Sequence, residues 1–148
     1  MRLPGLTDAE IEEWLALPNI ARLGTINDDG TPRVTAMWYL PEEDGTITLN
    51  TYEDNVHVRN ILRDRRVALL IDSSDPPYKS VHYNGEAELA DEAASAEEIG
   101  RLYERYLGGR EQATEYGRNL VSAGKRVNVR FRPQRQHSID FGKMDGAA

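Results

Sequence analysis

Hydrophobic and polar residues alternate over residues 20–26 and again over 32–39, with the turn formers Asn27-Asp28-Asp29-Gly30 between them. This predicts two strands joined by a tight turn. Gly30 takes the positive φ that such a turn needs, and Pro32 opens the return strand where a missing N–H is tolerable. Pro41 ends that strand, and Asp44-Gly45 turns the chain into a third over residues 46–51, with Ile47 and Leu49 facing the core. The period then changes. Asp54 or Asn55 can cap a short helix that runs roughly to Arg63 and carries His57, Arg59 and Arg63. The uninterrupted apolar run Val67-Ala68-Leu69-Leu70-Ile71 predicts a strand buried on both faces, central in the sheet. Residues 21–72 therefore read as the organising stretch.

The flanks add helices and further strands. Thr7 and Glu10 form a capping-box pattern, Leu6 and Ile11 are placed as a hydrophobic staple, and Pro18 bounds a flanking helix over residues 8–17. Residues 79–89 alternate again, and Gly85 within them is a candidate bulge. Ser95 and Glu98 make a second capping box ahead of a helix that Gly108-Gly109 stops, and another helix spans roughly residues 111–121. Val127, Val129 and Phe131 alternate as a strand that Pro133 is expected to break. A last short strand is predicted over 137–141, followed by a tail that frays from Lys143. No linker or repeat interrupts the pattern, so residues 1–148 read as one domain with a tail at 143–148. Six to seven antiparallel strands with short turns and flanking helices predict a mainly β, α+β fold built on a small barrel.

Composition narrows the function classes. The formal net charge is -7 among 148 residues, which argues against a nucleic-acid binder. No apolar run approaches the length of a membrane span, and no signal peptide pattern is present, so a cytoplasmic protein is the expectation. With no cysteine there is neither thiol nucleophile nor thiolate metal site. His57, His82 and His137 share no ligand spacing, and no metal is expected. Asp54, Asp64, Asp72 and Asp75 stand singly in turn-like contexts, so capping is the better reading, and no catalytic residue is assigned.

The positive signal is local. Cations at a helix N-terminus oppose the macrodipole, and a bound anion would relieve that cost, with Thr51 offering a hydroxyl just ahead of it. The competing reading is that Arg59 and Arg63 pair with surface carboxylates. Met37 and Trp38 end a strand with small neighbours, Thr35 and Ala36, whose backbone could lie against a flat ring. Trp38 as plain core is the alternative.

Several residue groups then fall in a recognisable order: Leu23-Gly24-Thr25, Gly30-Thr31-Pro32-Arg33-Val34, Asn50-Thr51, Arg59-Asn60, Asp64-Arg65-Arg66-Val67-Ala68, Tyr78, Asn84-Gly85-Glu86-Ala87 and Ser138-Ile139-Asp140-Phe141-Gly142-Lys143. Together they resemble the pyridoxamine 5'-phosphate oxidase-like family, most of all its small branch that uses the deazaflavin coenzyme F420. The resemblance implies an FMN-binding-like split β-barrel and a homodimer with cofactor clefts at the interface. It places the cofactor ring against Arg33, Val34, Thr35, Ala36, Met37 and Trp38, and the phosphate or ribityl portion near Asn50 and Thr51. The phosphate-binding basic position falls on His57, where the family usually has lysine. Arg59, with Asn60 beside it, matches a common Arg, and Lys79 and Ser80 fall where a strand touches the ring. Tyr78 is the candidate proton donor besides solvent. The implied activity is F420-dependent hydride transfer to a small unsaturated organic substrate, with FMN as the alternative cofactor. A non-catalytic flavin or haem binder of the same fold, with His82 or His137 as axial ligand, is the other reading.

Overall fold

A computed structural model describes residues 2–147. Thr7 caps α1 (Asp8–Ala16) as a full capping box with Glu10, and Ile11 is its buried anchor. The hairpin β1 (Ile20–Ile26) and β2 (Pro32–Met37) pairs in register from Ala21↔Met37 to Ile26↔Pro32, and Gly30 takes φ 85° in the turn. The strand predicted to run to residue 39 breaks at Trp38, and the chain resumes as the short β3 (Tyr39–Pro41) against β4 (Ile47–Tyr52). Next come α2 (Val56–Arg63) and β5 (Arg66–Asp72). They are followed by β6 (Lys79–Ala93), the helix pair α3 (Ala96–Leu107) and α4 (Arg110–Ala123), and β7 (Arg126–Asp140).

All seven strands form one antiparallel sheet in the order β2-β1-β5-β6-β7-β4-β3. Its two edge strands, β2 and β3, are consecutive in the chain with only Trp38 between them. A single residue cannot bridge a flat seven-strand sheet, whose edges would stand about 28 Å apart at ~4.7 Å per strand. The sheet therefore curls until its edges approach, and the result is a split barrel. The core inside it holds Leu23, Tyr39, Ile47, Leu49, Leu69, Ile71, Val81, Val129 and Phe131. Helix α1 closes one end, where Trp14 Nε1 donates to Ile71 O at 3.2 Å and Tyr39 OH donates to Leu15 O at 2.9 Å.

Three sequence expectations change. First, β5 is not buried on both faces. Val67, Leu69 and Ile71 point inward, whereas Ala68 is exposed and Leu70 half-buried. The register places Val34, Gly24, Ala68 and Asn84 in one row on the outer face, with Ala36, Arg22, Leu70 and His82 in the next.

Second, Pro133 does not break the last strand. It lies past the end of the β4 pairing, opposite Gly85, where the β6–β7 register shifts by one residue. A proline is admissible where the ladder is already interrupted, so two predicted short strands are one strand of 15 residues.

Third, the chain from Lys143 does not fray in the described residues. Phe141–Ala147 winds as a 3-10 helix, and Lys143 Nζ donates to Gly5 O at 2.8 Å and to Glu10 Oε2 at 2.7 Å. Residue 148, the end of the predicted tail, lies outside the described residues.

Candidate functional site

Among the described residues the edge strand β2 pairs only with β1, so the other side of its backbone has no sheet partner there. Across from it lie the end of β4, the start of α2, the start of β7 and the α3–α4 pair. Between them opens a cleft of about 440 Å³, lined by Ile20, Thr35, Ala36, Met37, Trp38, Asn50, Thr51, Asn55, His57, Tyr103, Tyr116 and Arg126. Seven of the residues assigned from the sequence meet here, drawn from β2, the break at Trp38, β4 and α2.

One end of the cleft is the N-terminus of α2. The N-cap is Asn55, but its side chain makes no capping bond. Instead Asn55 Nδ2 donates to Thr51 Oγ1 at 2.7 Å, and Thr51 Oγ1 in turn lies 2.7 Å from His57 Nε2. Since Thr51 Oγ1 accepts from Asn55, its own proton is free for His57 Nε2, which fits a neutral imidazole. Burial, and then the Arg33 guanidinium, push the His57 imidazole below its ordinary pKa. There is no acidic residue in the first turn of α2, and the Val56 and His57 amides have no partner among the described residues. Both α1 and α3, by contrast, have their first turns closed by capping boxes. The α2 end thus combines unpaired N–H groups, a positive dipole end, a hydroxyl, an imidazole and a nearby guanidinium, a donor set suited to phosphate.

The other end is aromatic. Trp38 stacks on Tyr106 with ring centroids 4.4 Å apart and planes 5° apart, and Tyr103 tilts against Trp38 at 4.7 Å. Tyr116 continues the row at 5.3 Å from Tyr103. Tyr106 OH donates to Asn19 O at 2.8 Å, which ties α3 to the start of β1. Arg126, at the start of β7, is only 6% exposed. Tyr103, Tyr116 and Arg126 were not assigned from the sequence, since nothing local marks them. Tyr103 reaches the cleft by its contact with Trp38 and Arg126 by its contact with Asn50, 76 positions away, while Tyr116 follows through Tyr103.

The remaining assigned residues lie elsewhere in this chain. Val34 is 70% exposed on the outer face. Arg33 is exposed on β2 but acts electrostatically on His57. Arg59 is exposed on α2. Asn60 is buried and fastens α2 to the first hairpin, its Nδ2 donating to Thr25 Oγ1 at 3.0 Å and Asn27 Oδ1 at 2.9 Å. Arg63 Nη2 donates to Ile26 O and to Asn60 Oδ1, so it braces the same joint. Tyr78, Lys79 and Ser80 sit at the start of β6, outside the cleft. Tyr78 is exposed, Lys79 Nζ is 6.0 Å from the Trp14 ring, and Ser80 Oγ lies 2.9 Å from His82 Nε2. His82 and His137 face each other across β6 and β7, with ring centroids 5.8 Å apart. Among the described residues no cluster of three or more His, Asp or Glu side chains could hold a metal, and no helix is long and apolar enough to cross a membrane.

Comparison with known proteins places these features in a wider set. The family profile described as pyridoxamine 5'-phosphate oxidase matches residues 7–138. No curated protein matches the sequence. Among solved structures, a conserved hypothetical protein from Mycobacterium tuberculosis is 31% identical with a TM-score of 0.79, and the match covers 94% of this chain and 88% of that one. A structure described as an F420 reductase is 23% identical with a TM-score of 0.64, over 85% of this chain and 94% of that one. The haem storage protein HutZ from Vibrio cholerae is 17% identical with a TM-score of 0.69, over 95% of both chains. The last two are similar to this chain in fold alone.

Proposed function

The chain belongs to the pyridoxamine 5'-phosphate oxidase family, and on that premise we propose that it is an F420-dependent oxidoreductase acting on a small unsaturated organic substrate. One observation carries the reading: a single cleft joins the open backbone edge of β2 to the uncapped N-terminus of α2. That pairing suits a cofactor with a flat polar-edged ring at one end and a phosphate at the other. When bound, a deazaflavin or flavin supplies the hydride chemistry.

The protein's own part is to bind and orient. Thr35, Ala36 and Met37 offer backbone donors and acceptors along the free edge of β2. Thr51, His57, Arg33 and the first amides of α2 hold the phosphate end. Trp38 and the tyrosines exclude water from the far end. Tyr103 lines the cleft, so its hydroxyl is better placed as a proton donor than that of Tyr78, which stands outside it.

A homodimer is part of the proposal. Val34, Gly24 and Ala68 form an apolar stretch of the outer-face row that ends at Asn84, and it lies next to Ala36, which lines the cleft. A second copy laid on this face would bury β5 on its other side and border the cleft. Sedimentation should then give twice the chain mass.

Side-by-side titration of the purified protein with F420 and FMN tests the function. Tighter binding of F420 supports the proposal, and tighter binding of FMN moves the activity to the flavin alternative. Binding of neither, or a Soret band with added haem, would overturn it in favour of a non-catalytic member of the fold. Arg33→Ala should weaken binding of the preferred cofactor by about 1.5–3 kcal/mol through loss of a charge-assisted contact. Unchanged affinity would remove Arg33 from the cradle. His57→Lys should tighten binding, since a permanent ammonium replaces an imidazole that burial keeps neutral. Looser binding would mean that the Thr51–His57 contact, not the charge, is what holds the cofactor.

A further inference from the structure

Arg126 is a buried cation with no carboxylate partner among the described residues. The ion pairs there join Arg22, Arg63, Arg65, Arg66, Arg101, Lys125 and Lys143 to acidic groups, and Arg126 is absent from them. In a chain with formal net charge -7, an acid could easily have been supplied. What surrounds Arg126 is neutral. Its Nε donates to Asn50 Oδ1 at 2.8 Å, its Nη2 donates to Tyr103 OH at 3.2 Å, and its guanidinium lies 4.3 Å from the centre of the Tyr52 ring. Asn50 is itself locked, since its Nδ2 donates to Val127 O at 3.2 Å and Asn128 Oδ1 at 2.8 Å. Its Oδ1 is thereby held toward Arg126.

A guanidinium has five N–H donors, and neutral oxygens offset the desolvation of its charge only in part. The group is thus positioned, oriented and left short of negative charge, on the wall of a cleft whose adjoining wall is a row of aromatic rings.

We propose that Arg126, with Tyr103 beside it, is a receptor for an anionic oxygen carried by a flat conjugated molecule at the aromatic end of the cleft. The chemistry is that of an aryl or enoic carboxylate, or of an ionised ring oxygen. Arg126 binds it by charge-assisted hydrogen bonds while Trp38, Tyr103 and Tyr116 border its plane. This rests on the cleft being the ligand site of the proposed function and narrows its substrate class to acidic conjugated compounds. The same anion could belong to the substrate or to the cofactor ring, and the test separates the two.

The full chain, free of cofactor, is titrated with 2-naphthoate and with its neutral isostere 2-naphthamide. The wild type should bind naphthoate at least about tenfold more tightly, as expected for one charge-assisted contact. Arg126→Met should abolish that preference, and Arg126→Lys should keep part of it. Equal binding of the two probes by the wild type, or a preference that survives in Arg126→Met, would overturn the proposal. The wild-type comparison needs no variant to fold. Repeating it on cofactor-loaded protein assigns the source: naphthoate that still binds marks a substrate site, and naphthoate that is displaced marks the cofactor's own anion. Because the first titration uses no cofactor, failure of F420 and FMN to bind is read separately from failure of the anion receptor.

Discussion

Phe131→Ala is expected to lower the free energy of unfolding by about 3–5 kcal/mol, the usual cost of truncating a fully buried aromatic side chain. Phe131 is 0% exposed. It sits on β7 directly between Ile47 on β4 and Ala87 on β6, and its ring lies 6.1 Å from that of Tyr83. The cavity left behind would be walled by strands locked in register on both sides, so it has little means of collapsing. A single domain is usually stable by only about 5–15 kcal/mol, and the variant would therefore approach the limit of folding at room temperature. Urea unfolding followed by tryptophan fluorescence checks this. A midpoint within error of the wild type would show that the barrel interior can repack far more freely than its packing implies.

Gly85→Ala should be nearly as damaging although it adds only a methyl group. A Cβ on Gly85 would stand 2.1 Å from Arg132 O and 3.1 Å from a ring carbon of Phe131. The first of these is backbone and cannot swing aside. Relief requires opening the β6–β7 ladder at the point where its register already shifts. The expected cost is at least about 3 kcal/mol, at the upper end for overpacking. Gly24→Ala is the matched comparison: its nearest neighbour would be Ala68 Cβ at an ordinary 3.5 Å, and a change within about 1 kcal/mol is expected. If both variants unfold at the same urea concentration, the clash at Gly85 is not what sets the cost.

The parts of the fold legible in the sequence were those encoded within a few residues. Thr7 with Glu10 and Ser95 with Glu98 are reciprocal caps in the structure, as their spacing predicts. Gly30 and Gly45 take φ 85° in the two hairpin turns, and Gly85 marks the bulge. Where the expectation failed, a partner distant in sequence decided the outcome. Pro133 would end an isolated strand, but opposite Gly85 it falls at a gap in the ladder. The β5 run is apolar throughout, yet a single chain provides cover for only one of its faces.

The cleft divides the same way. Thr51 and His57 lie six residues apart and are hydrogen-bonded, so the grouping at the α2 end of the cleft could be read locally. Arg126, Tyr103 and Tyr116 carry no motif. Arg126 meets Asn50, 76 residues earlier, because β7 pairs beside β4, and Tyr103 meets Trp38 because α3 packs against the break after β2.

The strand β7 also bonds to the beginning of the chain. Leu6 N donates to Ser138 Oγ at 2.8 Å, and Asp140 N donates to Pro4 O at 2.8 Å. Strand β4 has its inner neighbour supplied by β7 alone. During synthesis the first hairpin can close early, but β4 waits with a bare edge until β7 leaves the ribosome. At about 5–20 residues per second, the 73 positions between Tyr52 and Arg126 represent several seconds of waiting. Through that interval the unfinished chain presents an open template for another strand, and it has no cleft in which a cofactor could stabilise it. Assembly of the barrel therefore waits on β7, and the nascent chain is most exposed to aggregation and chaperone capture just before β7 docks.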